Sequence, residues 1–298
     1  MIYLICNCTN NKTIKPSENL IIANCKFENI DSEILQWKKY KNKKELKARE
    51  LYQGHAWQET LKCKSVLNTK FPTNLLVASA GYGLISAEEK ISSYQATFSR
   101  NSDNSIHKFK NNNLENPTVK WWNEINEFNL NSLNSKGFVF ISVSYEYLIA
   151  MQKTIEELII IFKNRLFIIV LSKKNIPTSY KENIIKFDTR FNTFQRGTIN
   201  TIIQRFSNWL FSEIVNSNLQ LNHQSIQNHI NVFLSHYSEY IHPNSEKLND
   251  SEISNFIKKQ ISKQNISSKT AGLKDLRLKG YSCSQERYGK IYSKIKAK

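Results

Sequence analysis

Short, nearly continuous apolar runs alternate with amphipathic segments up to about residue 216. Such runs are typical of strands covered on both faces. Their alternation with helical patterns favours a three-layer α/β domain with a mostly parallel sheet. A polar stretch, Arg100–Asn116, is predicted to be a loop over the sheet edge. The predicted strands are Ile2–Cys6, Leu20–Ala23, Leu75–Ser79, Phe138–Val143 and Leu166–Leu171, and the predicted helices are Glu45–Leu67, Tyr145–Phe162 and Arg196–Val215.

Only helical patterns follow residue 216, so the sequence predicts an α/β domain over 1–216 and a basic helical module over 217–298. The segment Phe256–Lys298 contains 12 Lys and Arg against two acids. The predicted helices of this module are Asn222–Tyr240, Asp250–Lys263, Ser268–Gly280 and Cys283–Tyr292, with a break at 243–245.

Two short helices joined at Gly280 suit helix-turn-helix-like contact with DNA. The other interpretation of the same pattern is a basic helical cap that only packs on the core. The candidate DNA-contacting residues of the module are Lys269, Lys274, Arg277 and Arg287.

The most informative motif is the end of the third predicted strand, where Ser79 is followed by Ala80-Gly81-Tyr82-Gly83. The chain has 8 glycines in 298 residues, and glycine permits a close backbone approach or a positive φ. Since ligands of open α/β sheets bind beyond the carboxyl ends of strands, the motif predicts a pocket there. A plain strand-to-loop turn is the other interpretation.

Four motifs in a fixed order resemble a family of bacterial proteins associated with phage defence and DNA modification. They are a Cys-polar-Lys loop after the first strand (Ile5–Thr9 with Lys12), Ala-Arg-x-Leu-Tyr-x-Gly at Ala48–Gly54, the strand end Ser79–Ile85, and Ser93-Tyr94. The match covers roughly residues 1–100. The family is distantly similar to the uracil-DNA-glycosylase fold, and the resemblance implies an antiviral DNA glycosylase.

One position departs from the family pattern. Such proteins usually have Lys or another polar residue after Ala80, and this chain has Gly81. If a lysine there contributes chemistry in the family, this chain lacks it.

The chain is strongly basic, with 42 Lys and Arg against 25 Asp and Glu and a formal net charge of +17. This excess favours a polyanionic partner, with DNA as the leading candidate. An AT-rich genome enriches Lys and Asn together, but that bias does not explain the deficit of acids. The resemblance makes phage double-stranded DNA with modified bases the expected partner.

Several classes of protein are disfavoured by what the sequence lacks. The five cysteines have no metal-ligand spacing, and no P-loop, His-Glu-x-x-His or complete Gly-x-Gly-x-x-Gly fingerprint is present. We therefore expect no metal and no cofactor. The first residues lack the basic leader of a signal peptide, and no apolar run approaches the ~20 residues of a membrane span. A reduced, cytoplasmic protein is expected.

Release of a base from deoxyribose passes through an oxocarbenium-like state that a carboxylate can stabilise. The base must first be flipped into a pocket, where an aromatic face can hold it. The nearest carboxylates to the glycine motif are Glu88 and Glu89, with Asp103 as a fallback, and His55 is a candidate donor to the leaving base. The predicted base pocket consists of Asn7, Thr9, Ser79, Gly81, Tyr82, Gly83 and Tyr94, and Arg49 is a candidate phosphate contact.

Two functional hypotheses follow. The first is a metal-independent enzyme of phage defence that acts on a modified base, either a DNA glycosylase or a related base-exchanging or nucleotide-cleaving N-glycosidase. Phage hypermodified cytosines are the preferred substrate class. The second is a binding protein without chemistry, in which the pocket senses a nucleotide and the basic module docks on DNA. A carboxylate that points into the pocket beside Tyr82 or Tyr94 favours the enzyme, whereas a pocket with aromatic residues only favours the binding protein.

Overall fold

The computed structural model describes residues 1–25, 29–41, 45–110, 115–172, 176–240, 245–262 and 268–296. The chain divides into two compact units, Met1–Tyr240 and Ile241–Lys298. The first unit is a mixed α/β structure and the second is mainly helical.

A mostly parallel six-stranded sheet forms the centre of the first unit. The strands of this unit are β1 (Ile2–Asn7), β2 (Leu46–Lys47), β3 (Thr73–Ser79), β4 (Gly83–Ser86), β5 (Lys90–Ile91), β6 (Phe138–Ser142), β7 (Leu166–Leu171) and β8 (Ile184–Phe187). The order in the sheet is β4-β3-β1-β6-β7-β8, with β3 and β4 as the antiparallel pair, and β2 and β5 form a separate antiparallel ribbon. In register, Ile5 lies between Leu76 and Ile141.

The continuous apolar runs form this sheet because both of its faces are covered. Every residue from Ile2 to Cys6 is at most 5% exposed, which is the environment expected for the central strand of a parallel sheet. The predicted strands at Leu75–Ser79, Phe138–Val143 and Leu166–Leu171 are confirmed to within two residues at each end.

The predicted strand Leu20–Ala23 is wrong. The segment instead forms two 3-10 turns, Glu18–Leu20 and Ile22–Asn24. Leu20 and Ile22 are nevertheless buried, because the backbone of this loop pairs with Gln95 and inserts both side chains into the core. Burial therefore produced a strand-like pattern without a strand.

Helices of the first unit flank the sheet. The helices are α1 (Ile30–Tyr40), α2 (Ala48–Leu51), α3 (His55–Asn68), α4 (Pro117–Ile125), α5 (Tyr145–Ala150), α6 (Gln152–Phe162), α7 (Phe191–Phe194), α8 (Ile202–Asn216) and α9 (His223–Ser235). Helix α3 packs on α8, on β1 and on β3, while α6 packs on β7. The single helix predicted over Glu45–Leu67 is divided. Helix α2 ends at Leu51 because the backbone of Tyr52 is extended, and α3 begins after Gly54, whose φ is 99°. In the predicted loop Arg100–Asn116, Ile106–Lys108 forms a 3-10 turn and 111–114 lie outside the described residues.

The boundary between the two units lies later than the sequence predicts. Helix α9 packs on strand β8 and buries Ile226, Ile230 and Leu234 in the core of the first unit. The loss of strand patterns at residue 216 marks the end of the sheet rather than the end of the domain, and the compact unit extends to Tyr240.

The second unit has a small hydrophobic core of its own, which includes Ile253, Ile257, Leu276 and Tyr288. Gly280 has a φ of 85° in the turn that follows the first of the two predicted short helices, as the sequence predicts. The break predicted at 243–245 lies outside the described residues except for Ser245. The elements of this unit are β9 (Glu246–Lys247), α10 (Asp250–Ser262), α11 (Lys269–Leu278), β10 (Tyr281–Ser282) and α12 (Gln285–Lys296), and β9 pairs with β10 in parallel.

None of the helices in the described part of the chain combines the length and apolar character that crossing a membrane requires.

Candidate functional site

A cavity of about 630 Å³ opens at the carboxyl ends of β1, β6 and β7. This is the edge of an open α/β sheet at which ligands bind. Its walls come from the loop after β1, the start of α3, the segment Val143–Leu148 after β6, and the start of α8. Polar residues that line it are Asn7, Thr9, Asn10, Asn11, Gln53, His55, Thr97, Ser99, Ser144, Tyr145, Glu146, Asn200, Thr201 and Gln204.

The side chain of Asn7 ties three walls of the cavity together. Its Oδ1 accepts hydrogen bonds from the backbone N–H of Ser144 at 3.2 Å and from Gln204 Nε2 at 3.3 Å. The last residue of β1 is thereby linked to the loop after β6 and to the first turn of α8. Thr9 holds the neighbouring loop, since its hydroxyl donates to the carbonyl of Gln53 at 2.9 Å.

Helix α3 begins at the cavity wall. Gly54, the residue before its first turn, provides no side-chain cap, and His55 and Ala56 line the cavity. The first N–H groups of a helix have no partner within the helix, and its amino end favours negative charge. The imidazole of His55 is exposed, and no hydrogen bond to it occurs among the described residues. It is available as a proton donor.

Glu146 is the only carboxylate among the described residues that line this cavity. It is half-buried on the short helix α5, just beyond the carboxyl end of β6. Within the described ranges the carboxylate forms no hydrogen bond and no ion pair. Charged side chains are mostly exposed, and those that are fully buried are almost always paired. A half-buried carboxylate without such a partner among the described residues, in a polar cavity, is a candidate for chemistry.

A cluster of hydroxyl groups and one thiol lies beneath the cavity. The Tyr94 hydroxyl is 2.8 Å from Ser79 Oγ, 2.9 Å from the Tyr52 hydroxyl and 3.2 Å from Cys8 Sγ. Cys8 also contacts the Tyr147 hydroxyl at 3.1 Å. Burial raises the pKa of Tyr52, Tyr94 and Tyr147 well above the ordinary value, so these hydroxyls stay protonated at neutral pH. The cluster supports the cavity floor, where Cys8 and Tyr147 are exposed to it.

Lys12 connects this cluster to the loop that lines the cavity. Its ammonium group lies 4.1 Å from the centre of the Tyr94 ring and donates to the carbonyls of Thr9 and Asn10 at 3.2 and 3.4 Å. Burial lowers the pKa of Lys12 to about 8. A cation over an aromatic face is stabilised by the ring, so Lys12 fixes the loop after β1.

The glycines of the Ser79–Gly83 motif are required by packing within the protein. A Cβ on Gly81 would lie 2.7 Å from the Tyr94 ring, and a Cβ on Gly83 would lie 2.5 Å from the backbone of Asn126. Gly83 also has a φ of 76°, which disfavours other residues. The space that a Cβ of either glycine would occupy is thus filled by Tyr94 and Asn126.

The predicted base contacts of Tyr82 and Tyr94 need correction. Tyr94 is fully buried and lies in the hydroxyl cluster rather than on the cavity surface. Tyr82 lines a separate cavity of about 440 Å³, together with Lys41 and Glu89. Its hydroxyl is held by the carbonyl of Lys41 at 3.1 Å and the N–H of Ser92 at 3.0 Å. Ser79 is also buried and does not line the larger cavity.

The three carboxylates proposed from the sequence lie away from the larger cavity. Glu88 is exposed and pairs with Lys47 at 3.2 Å and Arg49 at 3.1 Å. Glu89 and Asp103 are exposed and do not line this cavity. Arg49 is engaged by Glu88 as a structural ion pair. Of the predicted site residues, the larger cavity brings together Asn7, Thr9 and His55.

A groove of about 310 Å³ lies between α11 and α12 of the second unit. Lys269, Lys274 and Arg277 line it, and the Arg277 guanidinium donates to the carbonyl of Cys283 at 2.9 Å. Arg287 does not line the groove and forms a 2.7 Å hydrogen bond to Asp250. The side chains of Lys269 and Lys274 form neither a hydrogen bond nor an ion pair with the described part of the chain, so these two lysines are available to contact a phosphate.

Sequence reasoning missed Glu146, Tyr147, Cys8 and Gln204. The strand-end argument applied to Ser79 also applies to Phe138–Val143, and it would have indicated Glu146 and Tyr147. Gln204 lies nearly two hundred residues from Asn7 in the chain, and no sequence motif indicates that the two side chains are in contact. Its role follows only from the packing of α8.

Among the described residues, no group of three or more His, Cys, Asp or Glu side chains could hold a metal ion. Comparison of the chain with protein-family models, with curated proteins and with solved structures gives no match.

Proposed function

We propose that the protein is a DNA N-glycosidase that removes a modified base from a nucleotide held in the larger cavity. The observation that carries this proposal is Glu146, a carboxylate that forms no hydrogen bond or ion pair with the described residues and lines a cavity of about 630 Å³ together with His55. A cavity of this size falls in the range of small-molecule sites. The substrate class that fits the family resemblance is a phage hypermodified cytosine, so the site of action would be the cytoplasm of an infected cell.

The residues can be assigned to the two halves of the reaction. As the bond between C1′ and the base nitrogen breaks, its electron pair leaves with the base, and His55 donates a proton to the base. Glu146 stabilises the positive charge on the sugar and takes a proton from the water whose oxygen bonds to C1′. The product is a free base and an abasic site. The amino end of α3 favours the negative charge that develops on the departing base.

The wall of the cavity supports a flipped base. A base in a duplex must leave the stack to reach such a site, and aromatic and polar side chains then hold it. Tyr145 and Tyr147 supply aromatic surface, while Asn7 and Gln204 supply amides that can contact the base edge. The basic net charge of +17 supports DNA as the polymer that carries the base.

The second unit is proposed to bind the DNA backbone through the groove between α11 and α12. Lys269 and Lys274 are free to contact phosphates, whereas Arg287 is held by Asp250. Phosphate contacts give affinity without base selection. In this proposal the first unit carries out the reaction, and the second unit provides non-specific affinity for DNA.

We expect the full-length protein to release a base from phage DNA with hypermodified cytosines in buffer that contains EDTA. The reason is that Glu146 and His55 supply the proton transfers, so no metal-bound water is needed. Mass spectrometry of the released base and alkaline cleavage at abasic sites measure the outcome, with unmodified DNA as control. Activity lost on chelation and restored by one metal would contradict this mechanism. Binding of modified DNA with neither product would support the nucleotide-sensing protein instead.

Neutralising the two groove lysines should weaken DNA binding and its salt dependence. Each phosphate contact contributes a slope of roughly 0.9 in log affinity against log salt. Lys269→Gln with Lys274→Gln is therefore expected to reduce the slope by up to about 1.8. Fluorescence anisotropy of a labelled duplex over a range of salt concentrations measures the affinity and its salt slope. The matched control replaces the exposed Lys136 and Lys153 of the first unit by Gln. Equal losses in both double variants would show a general charge effect and no groove.

A further inference from the structure

Gln204 presents a hydrogen-bond acceptor without a donor at the wall of the larger cavity. The residue lies in the first turn of α8, lines the cavity and is 4% exposed. Its Nε2 donates to Asn7 Oδ1, whereas its Oε1 is buried and receives no hydrogen bond from any described residue. Buried polar atoms are nearly always paired in proteins, so a lone amide oxygen here points to a ligand that carries a donor.

The neighbours of Gln204 fix which end of its amide is free. A backbone N–H can only donate, so the atom of Asn7 that lies 3.2 Å from Ser144 N must be the oxygen. That oxygen requires the nitrogen of Gln204 at 3.3 Å, because two amide oxygens would repel each other. The free atom of Gln204 is therefore an acceptor rather than a donor.

We propose that Gln204 selects the base by accepting a hydrogen bond from the amino group at C4 of a pyrimidine or at C6 of a purine. This inference rests on the proposed function, because it concerns the base that the cavity would hold. Cytosine and adenine carry an amino group where thymine, uracil and guanine carry a carbonyl oxygen. A carbonyl oxygen against Gln204 Oε1 sets two acceptors face to face, and the buried oxygen stays unpaired.

The amide oxygen of Gln204 reaches the cavity by rotation of the side chain. The last torsion of a Gln side chain is broad, and Oε1 and Nε2 turn together about it, so the 3.3 Å contact between Nε2 and Asn7 Oδ1 lengthens as Oε1 turns toward a ligand. Modification of cytosine at carbon 5 leaves the amino group in place. A hypermodified cytosine would therefore satisfy Gln204 in the same way as cytosine itself.

Matched nucleosides test this selection without any variant. Isothermal titration of the full-length protein with deoxycytidine and deoxyuridine compares an amino group with a carbonyl on the same ring, and deoxyadenosine and deoxyinosine form a second pair. We expect the amino member of at least one pair to bind about tenfold more tightly or better, since a hydrogen bond to a buried acceptor is gained. Equal affinities within both pairs would overturn the proposal, and so would the absence of binding by all four nucleosides.

Gln204→Leu removes the acceptor with little change in volume, and the preference for the amino member is expected to disappear. Gln58→Leu, at an exposed position of α3, is the control and should keep the preference. A folded Gln204→Leu variant that retains the full preference would also overturn the proposal. If this variant does not fold, the proposal is tested by the ratios of the affinities of the wild-type protein for the two members of each nucleoside pair.

These outcomes separate the inference from the proposed reaction. A preference for amino-bearing nucleosides without base release from any DNA would support selection by Gln204 and contradict the glycosidase. Base release from DNA with no preference between amino-bearing and carbonyl-bearing nucleosides would support the glycosidase and contradict selection by Gln204.

Discussion

Glu146→Gln is expected to lower the rate of base release by about 10²–10⁴-fold, the usual effect of removing a positioned acid–base group. The amide has nearly the shape of the carboxylate, but it can neither take a proton from water nor stabilise a cationic sugar. Since Glu146 forms no ion pair with the described residues, the substitution leaves no buried cation unpaired, and the fold should be unaffected. Single-turnover release of the modified base from a duplex, followed by mass spectrometry, measures the rate.

The matched control is Glu157→Gln, which changes an exposed carboxylate on the neighbouring helix α6. It should release the base at the wild-type rate, and both variants should bind DNA as tightly as the wild type in anisotropy measurements. A folded Glu146→Gln variant with full activity would remove Glu146 from the mechanism. The next candidate for the catalytic carboxylate would then be Glu89, which lines the smaller cavity with Tyr82.

The sheet could be predicted from the sequence because burial on two faces leaves a continuous apolar run. Four of the five predicted strands are present, and all four belong to the parallel part of the sheet. Strand β4 was missed since Gly83–Ser86 is short and follows a glycine turn directly. Strand β8, an edge strand with an exposed Lys186, lacks the continuous pattern.

The site was harder to predict because the glycine motif serves the core. Gly81 and Gly83 are needed where Tyr94 and Asn126 approach the backbone, and glycine gives the same sequence signal whether the neighbour is a ligand or a side chain. The larger cavity lies at the carboxyl ends of β1, β6 and β7, where ligands of open α/β sheets bind. The sequence motif instead points to the end of β3, which is covered by the hydroxyl cluster.

The hydroxyl cluster also explains why the role of Tyr94 could not be predicted. A tyrosine after a glycine motif suggests stacking on a base, but three buried polar partners hold its hydroxyl inside the protein. Those partners are Cys8 just after β1, Ser79 at the end of β3 and Tyr52 after α2, so they meet only in the folded chain. The structure thus changes the expected effect of mutating Tyr94 from lost activity to lost stability.

Tyr94→Ala is expected to reduce the free energy of unfolding of the first unit by about 3–5 kcal/mol, the range for loss of a large buried aromatic side chain. The ring is fully buried, packs edge-on against Trp37 and Tyr82, and fills the space beside Gly81. Tyr94→Phe keeps the ring and removes only the hydroxyl. It should cost about 1–3 kcal/mol, because Ser79 and Cys8 lose a buried partner.

Urea unfolding followed by tryptophan fluorescence measures these changes in the full-length protein. All five tryptophans of the chain precede Tyr240, so the signal reports on the first unit without interference from the second. Tyr40→Ala is the control, since this tyrosine of α1 is 37% exposed, and surface changes of this kind usually cost less than about 1 kcal/mol. A Tyr94→Ala variant with wild-type stability would contradict the buried cluster and restore Tyr94 as a contact for the base. The graded order Tyr94→Ala, Tyr94→Phe, Tyr40→Ala is expected because the first variant loses a fully buried ring with its hydrogen bonds, the second loses only the buried hydrogen bonds, and the third loses a ring that is 37% exposed.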